Sequence, residues 1–541
     1  MEAEAAVVAS ALREAGAVVG GHGRPGDDVR ALAHLATLLP GWGEEELAAR
    51  GAALAAQLGD FDGDPELEGI QDRMAHAARA ALPLSGTPAF ADAVLARLGV
   101  DGVRDLLTAL GRAADPATSP VAALLASVLG VASSGGPSWA VVDAPYAGAQ
   151  GVSVDLTVAG MTAVLAAGAV PGARGLRPAT VALWTRQFLL LDKAEGRRVG
   201  ERVTYRWSSE LADPVAVGMG VLARSGAPHV VAGLLEEAAV WTEALSRWWR
   251  DGGDAFGELV HQLRLDDSST GARAVRVALE VIGSGLTPGD LSARTVRRDT
   301  VDAVSSSLAH AVAAHVPVAV EALSVGVDGL LRNGGAPLRA LGYLSVGSGG
   351  AAAMQEAILD WSRDRPVEPG DASSFSPAPA VAIPAAYMAA REYGQRLDHA
   401  LDAYEIKEEA EAEAERWDKT FGLLGFLPGP WGLVGGVAEG SAAIALGMDG
   451  RFDAGVDRGL RFDADDAVDV ASAATSPDRS VDLAALDEQA RAAFARTGRA
   501  LGDVAAPVSE ESDLAAVFAD GLRGLAQERV VRALKLLRGG D

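Results

Sequence analysis

The sequence predicts an all-α fold, a multi-helix bundle of stacked helical hairpins, on three observations. Apolar residues recur at helical spacing along most of the chain, Gly or Pro punctuates nearly every junction, and hydrophobicity rests largely on alanine. Hydrophobic residues make up 49% of the 541 positions, enough for sizeable cores, while aromatics are only 5%, too few for thick sheet sandwiches. Alanine buries little area per residue, so the implied packing is of closely approaching helices with thin interfaces.

From the N-terminus, helical patterns cover Glu4–Val19, Asp28–Leu39, Glu44–Leu58, Pro65–Ala81 and Pro88–Leu98, then Asp101–Leu110 and Val121–Val131. Ser133-Ser134-Gly135-Gly136-Pro137 opens a loop-like stretch that closes a first helical domain over 1–135. A central helical domain spans 152–365. It holds Val154–Ala167, Pro178–Leu191, Pro214–Ala223, His229–Trp249, Ala255–Leu263, Ala272–Ile282 and Arg297–Val327. The only β-like alternation, Val203 to Trp207, allows at most a minor hairpin near 199–207. Ser85-Gly86, Ser225-Gly226 and Ser348-Gly349-Gly350 each separate two apolar helical pieces, without the fixed period of a solenoid. The Pro-, Ser- and Asp-rich linker Pro366–Pro384 leads to a C-terminal helical region, 382–541. Its patterns are Ala385–Phe421, Val481–Leu501 and Leu514–Leu537, the last ending in a basic cluster that complements the helix dipole.

A net charge of −26 repels phosphate backbones and anionic lipid, so nucleic acid is not an expected partner. Cysteine is absent, which removes thiolate nucleophiles, disulfides and cysteine-based metal sites. Met1-Glu2-Ala3-Glu4 has no basic run ahead of an apolar stretch. The expected location is therefore the cytoplasm by default, or export by a route that needs no signal peptide.

No cofactor or metal site is legible. None of the four lysines (Lys193, Lys407, Lys419, Lys535) follows a glycine, so a phosphate-binding Gly-Lys-Ser/Thr loop is missing. Gly218-Met219-Gly220 mimics part of a dinucleotide fingerprint, but Asp213-Pro214 just upstream starts a helix rather than ending a strand. Asp60-Phe61-Asp62-Gly63-Asp64 resembles the opening of a calcium loop, yet Pro65 stands where glycine is needed and Gln71 where the closing glutamate belongs. The eight histidines are scattered, without His-Glu-x-x-His, and no Gly-x-Ser-x-Gly elbow occurs. The balance leans away from an enzyme.

Two segments rise above this background. Arg247, Trp248, Trp249 and Arg250 concentrate aromatics and charge at a helix–turn–helix, with Gly252 near the C-cap and Asp254 capping the next helix. They plug an inter-helix groove or meet a protein partner. The second is the apolar hairpin 421–447, with Phe421, Phe426, Trp431 and the ridge Gly432, Gly436, Gly440. Pro428-Gly429-Pro430 breaks it, and Trp431–Gly447 as a helix is about 25 Å long, short of a hydrocarbon core of roughly 30 Å. Glu439 adds about 2.5–3.5 kcal/mol to any insertion, so membrane contact is conditional and a buried hairpin is favoured.

Phe90 to Gly99, Leu106 to Gly111, Asp213-Pro214, Trp248 to Gly253 and the late apolar glycine-rich segment together resemble a known group. It comprises large alanine-rich helical proteins of actinobacteria classed as a domain of unknown function. That family is similar to proteins associated with WXG-type, or type VII, secretion and with polymorphic toxins. The resemblance covers roughly residues 60–450 and consists of packing motifs, with no catalytic residue to carry over. Trp42-Gly43-Glu44 departs from Trp-x-Gly, and Tyr404 to Glu408 gives one Tyr-x-x-x-acid match, as an acid-rich chain does by chance. The resemblance implies a non-enzymatic helical scaffold or interaction protein, a carrier or structural part of a secretion-linked effector. The alternatives are a membrane-active effector that inserts 421–447 and a hydrolase whose site assembles only in space.

Overall fold

The computed structural model describes residues 43–59, 68–113, 115–132, 152–170, 175–195, 197–199, 202–204, 213–247, 249–286, 298–324, 336–346, 349–363, 368–369, 375–376, 383 and 386–398. The described chain is all-α. It divides into two compact units, Met1–Val230 and Val231–Asp541. The predicted helices before Gly43 and after 400, the Asp60–Asp64 acids and the 421–447 hairpin lie outside the described residues.

The first unit contains α1 (Glu44–Gly59), α2 (Glu68–Ala81), α3 (Pro88–Gly111), α4 (Pro120–Val131), α5 (Val152–Gly168), α6 (Pro178–Glu195) and α7 (Pro214–Ala223). Each is written in its caps and apolar spacing. Leu47, Gly51, Leu54, Ala55 and Leu58 form the buried stripe of α1. Pro opens α3, α4 and α7, and the Asp213 carboxylate accepts from the Val215 and Ala216 amides at the start of α7. The two predicted pieces 88–98 and 101–110 abut as one element, bent at Gly99 with φ +65°. A short antiparallel hairpin pairs β1 (Arg197–Val199) with β2 (Arg202–Thr204), the minor strand content expected nearby.

Helices α3 and α5 form the middle of this unit, and α1, α4 and α7 pack against them. Their crossing is set by a reciprocal pair of glycines. A Cβ on Gly111 would stand 2.0 Å from the Leu156 carbonyl oxygen, and one on Gly160 would stand 2.0 Å from that of Leu107. Thr108 and Thr157 hydroxyls bond across the same seam at 2.9 Å. Backbone meets backbone, as an alanine- and glycine-rich interface requires. Because α5 packs on α3 and α4, the first unit runs past residue 133 and takes in α5–α7.

The sequence boundary between the units, Val230 to Val231, falls within α8 (Pro228–Leu235). The second unit continues with α9 (Ala238–Ser246), α10 (Asp254–His261) with a 3₁₀ turn over Gln262–Leu265, α11 (Ser269–Gly285), α12 (Arg298–Ala314), α13 (Val316–Ser324), α14 (Ala336–Leu344), α15 (Ala351–Arg363) and α16 (386–398). The strands β3 (Glu368–Pro369) and β4 (Phe375–Ser376) make a second minimal hairpin inside the predicted linker.

Two predicted helices are broken. His229–Trp249 divides into α8 and α9, where the Trp241 indole N–H donates to the Leu235 carbonyl at 2.8 Å and satisfies the end of α8. Arg297–Val327 divides at His315. There Pro317 lacks the amide a continuous helix needs, and α12 and α13 meet at 93°. Among the described residues no single helix is long and apolar enough to cross a membrane; this bent pair passes on combined length and composition, and it is packed on α10, α14 and α15.

Helix α16 docks on α14 through a second reciprocal contact: a Cβ on Gly342 would stand 2.1 Å from the Ala390 oxygen, and one on Gly394 2.0 Å from the Gly342 oxygen. Beside it Tyr393 is buried, and burial pushes its phenol up to about 12. A raised folded pKa means that the stability tied to the neutral phenol is complete below pH 10 and is lost as the pH climbs toward about 12. Thermal midpoints should therefore fall across that window, and Tyr393→Phe should flatten the fall; an unchanged slope would contradict the link.

Candidate functional site

The aromatic turn between α9 and α10 is a built structure. Helix α9 ends at Ser246, and Arg247 leaves it in an extended conformation. The Trp249 indole N–H donates to the Ala244 carbonyl at 2.9 Å, which folds the ring back over α9. Trp249 then stacks on Phe256, ring centroids 5.7 Å apart at 10°, while Trp241 meets the same Phe256 at 5.2 Å and 59°. The Arg247 guanidinium carbon lies 4.7 Å from the Trp249 ring centre, a cation–π contact.

The chain reverses through Gly252 and Gly253, both in left-handed backbone with φ +70° and +95°. Asp251 caps the following helix, one carboxylate oxygen accepting from the Gly253 amide and the other from the Ala255 amide, each at 3.0 Å. The expected capping residue, Asp254, is instead the first helical residue. Gly253 takes the N-cap place because the chain there needs positive φ, and because a Cβ would stand 3.0 Å from that of Ala303 on α12.

Burial separates the four predicted partner-contact residues. Trp249 is 3% exposed and Arg247 6%, so both belong to the interior of the second unit. Arg250 is exposed, and Trp248 lies outside the described residues. The membrane-insertion candidates Phe421, Phe426, Trp431, Gly432, Gly436, Glu439 and Gly440 also lie outside them. The glycine pattern that mimics a dinucleotide fingerprint is helix: Gly218 in α7 faces the Thr185 hydroxyl of α6, where a Cβ would stand only 2.3 Å away.

Three histidines lie on α10, α12 and the bend after it. His315 is buried, its Nε2 3.0 Å from the Leu263 carbonyl, and the bare Gly271 closes on its ring. His261 and His310 meet edge-on, their ring planes at 70°. Among the described residues no group of three or more His, Asp or Glu converges on one point. Sequence spacing did not mark the approach of His261 to His310, since the two come from separate helices.

An open groove of about 630 Å³ lies in the first unit between α1 and α2, floored by Leu54 and Phe90 and rimmed by Arg50, Asp72, Arg73 and His76. Arg50 also bonds Glu46 one turn earlier at 3.0 Å. The rim follows from the helical period: on α2, Met74, Ala78 and Ala81 turn into the core, which leaves Asp72, Arg73 and His76 on the outer side. The alternation was legible in the sequence; the groove it makes with α1 was not.

No protein-family model matches the chain, and no curated protein shows significant similarity to it.

Proposed function

We propose that the protein is a non-enzymatic helical scaffold whose α1–α2 groove receives one face of an amphipathic helix from a protein partner. The observation that carries this reading is the groove itself: an apolar floor of Leu54 and Phe90 under a polar rim of Arg50, Asp72, Arg73 and His76, with Arg50 bonded to Glu46. Apolar side chains every three or four residues would fill the floor, and polar residues on their flanks would meet the rim. Helix-in-groove recognition needs little beyond a preformed slot and matched charge.

The interior polar groups support a scaffold. The Trp241 and Trp249 indoles, His315 and Arg339 bond backbone carbonyls of neighbouring turns or helices, which fixes packing. The resemblance to alanine-rich helical proteins linked to type VII secretion supports a carrier or structural role in a secretion-linked effector.

A photo-cross-linking residue at Ala77, in the native host, tests the groove. One discrete protein should be trapped, and Ala53→Arg, which fills the slot from α1, should reduce its yield about tenfold or more, as loss of a central contact does, with the thermal midpoint unchanged. Equal trapping from a cross-linker at exposed Glu258, or a yield that survives Ala53→Arg, would count against the proposal.

A further inference from the structure

Helices α10 and α12 bring His261 and His310 to ring centroids 6.4 Å apart, with planes at 70°. Both rings are half-buried, so the pair is reached from solvent. His310 Nδ1 lies 2.8 Å from the Ser306 carbonyl oxygen. A carbonyl only accepts, so Nδ1 carries the proton and the neutral ring keeps its lone pair on Nε2. Backbone carbonyls orient metal-binding imidazoles in this same way.

Gly350, just before α15, secures that arrangement. A Cβ there would stand 2.6 Å from the Ser306 oxygen and 2.8 Å from His310 Nδ1, so only glycine lets this backbone lie against the bonded pair. Burial first, then the charge of Arg264, then His310, lower the pKa of His261.

We propose that His261 and His310 form a two-imidazole site for a divalent transition-metal ion of the zinc, nickel and copper class, which ties α10 to α12. The proposal is independent of the groove in the first unit. Imidazole nitrogen suits these borderline ions and leaves the harder magnesium and calcium unbound. A metal–nitrogen bond of about 2.0–2.1 Å places the ion about 3 Å from each ring centre. Two ring centres 6.4 Å apart are thus separated by about twice that distance, room for one shared ion. Tetrahedral coordination needs them closer by about 1 Å, which rotation of the half-buried His261 side chain toward the fixed His310 ring provides. Water completes the shell. Arg264, exposed on the adjoining 3₁₀ turn, opposes the added charge and keeps the affinity modest.

Calorimetric titration of the full chain with zinc chloride tests this, with thermal midpoints recorded in parallel. A one-site isotherm should appear, accompanied by a rise in midpoint, and magnesium chloride should reproduce neither. His261→Ala and His310→Asn should each weaken binding about tenfold or more, as loss of a ligand does. Asparagine keeps an amide donor for the Ser306 carbonyl, so the helix contact survives the change. His229→Ala, on an exposed histidine elsewhere, should leave the isotherm unaltered, and Arg264→Gln should tighten binding about fivefold by removing a nearby like charge. Zinc uptake that persists unchanged in the folded His261→Ala/His310→Asn double variant would overturn the proposal, as would no uptake by the parent chain.

Discussion

Gly283→Ala should cost the second unit about 3–4 kcal/mol, at or above the upper end of ordinary overpacking and a large share of a typical domain's total stability. Gly283 sits where α11 crosses α14. A Cβ added there would stand 1.6 Å from the Ala336 carbonyl oxygen and 2.3 Å from its carbon. Those are backbone atoms, so no side-chain rotation relieves the clash and the two helices must part. Parting them also stretches the buried bond from Arg339 Nε to the Gly283 carbonyl, 2.7 Å long, and a bond to a charged donor contributes about 1.5–3 kcal/mol. Gly233→Ala is the matched control. Gly233 is exposed in α8 with nothing within 4 Å of the added methyl, so the change should raise stability by about 0.5–1 kcal/mol through helix propensity alone. Urea unfolding followed by circular dichroism separates the two. A loss under 1 kcal/mol at Gly283 would mean that α11 and α14 are not held at backbone contact.

That contact shows which part of the fold was legible. Alanine and glycine abundance announced thin helix interfaces, and the helical period placed α1, α2, α4, α5, α6 and α7 to within a few residues. Local rules act locally, so caps and proline starts survive folding. Which glycine meets which carbonyl is a tertiary fact: Gly111 and Gly160 look no different in sequence from Gly59, where an added Cβ would meet nothing within 4 Å. Pro317 was visible, yet the apolar pattern runs on across it and hides the break. Ala336–Leu344 and Ala351–Arg363 were flagged only as apolar pieces flanking Ser348-Gly349-Gly350, because nine buried residues in a row give α14 no polar face to reveal its period. The candidate sites were less legible still. Trp249 announces itself by composition, but only the fold shows it buried, and the approach of His261 to His310 depends on two helices packing.

The second large effect belongs to Phe256, which is fully buried and touches both Trp241 and Trp249. Phe256→Ala should cost about 3–5 kcal/mol, the range for truncating a buried phenylalanine. The consequences spread through the turn. Trp249 loses the ring it stacks on, and the Arg247 guanidinium above Trp249 loses part of the wall that keeps it 6% exposed. Phe256→Leu tells volume from ring geometry, because it fills most of the space and forfeits only the aromatic contacts, about 0.5–1.5 kcal/mol for each pair. A leucine variant as unstable as the alanine one would mean that ring geometry outweighs volume at this site. An alanine variant losing less than about 1.5 kcal/mol would show that the α9–α10 turn is not anchored by its aromatics. The distinction bears on function. Trp249 is held to α9 by its bond to Ala244 and to α10 by the stack, so a partner could reach it only by first undoing both. Two anchors of this kind make the turn a fixed corner of the second unit.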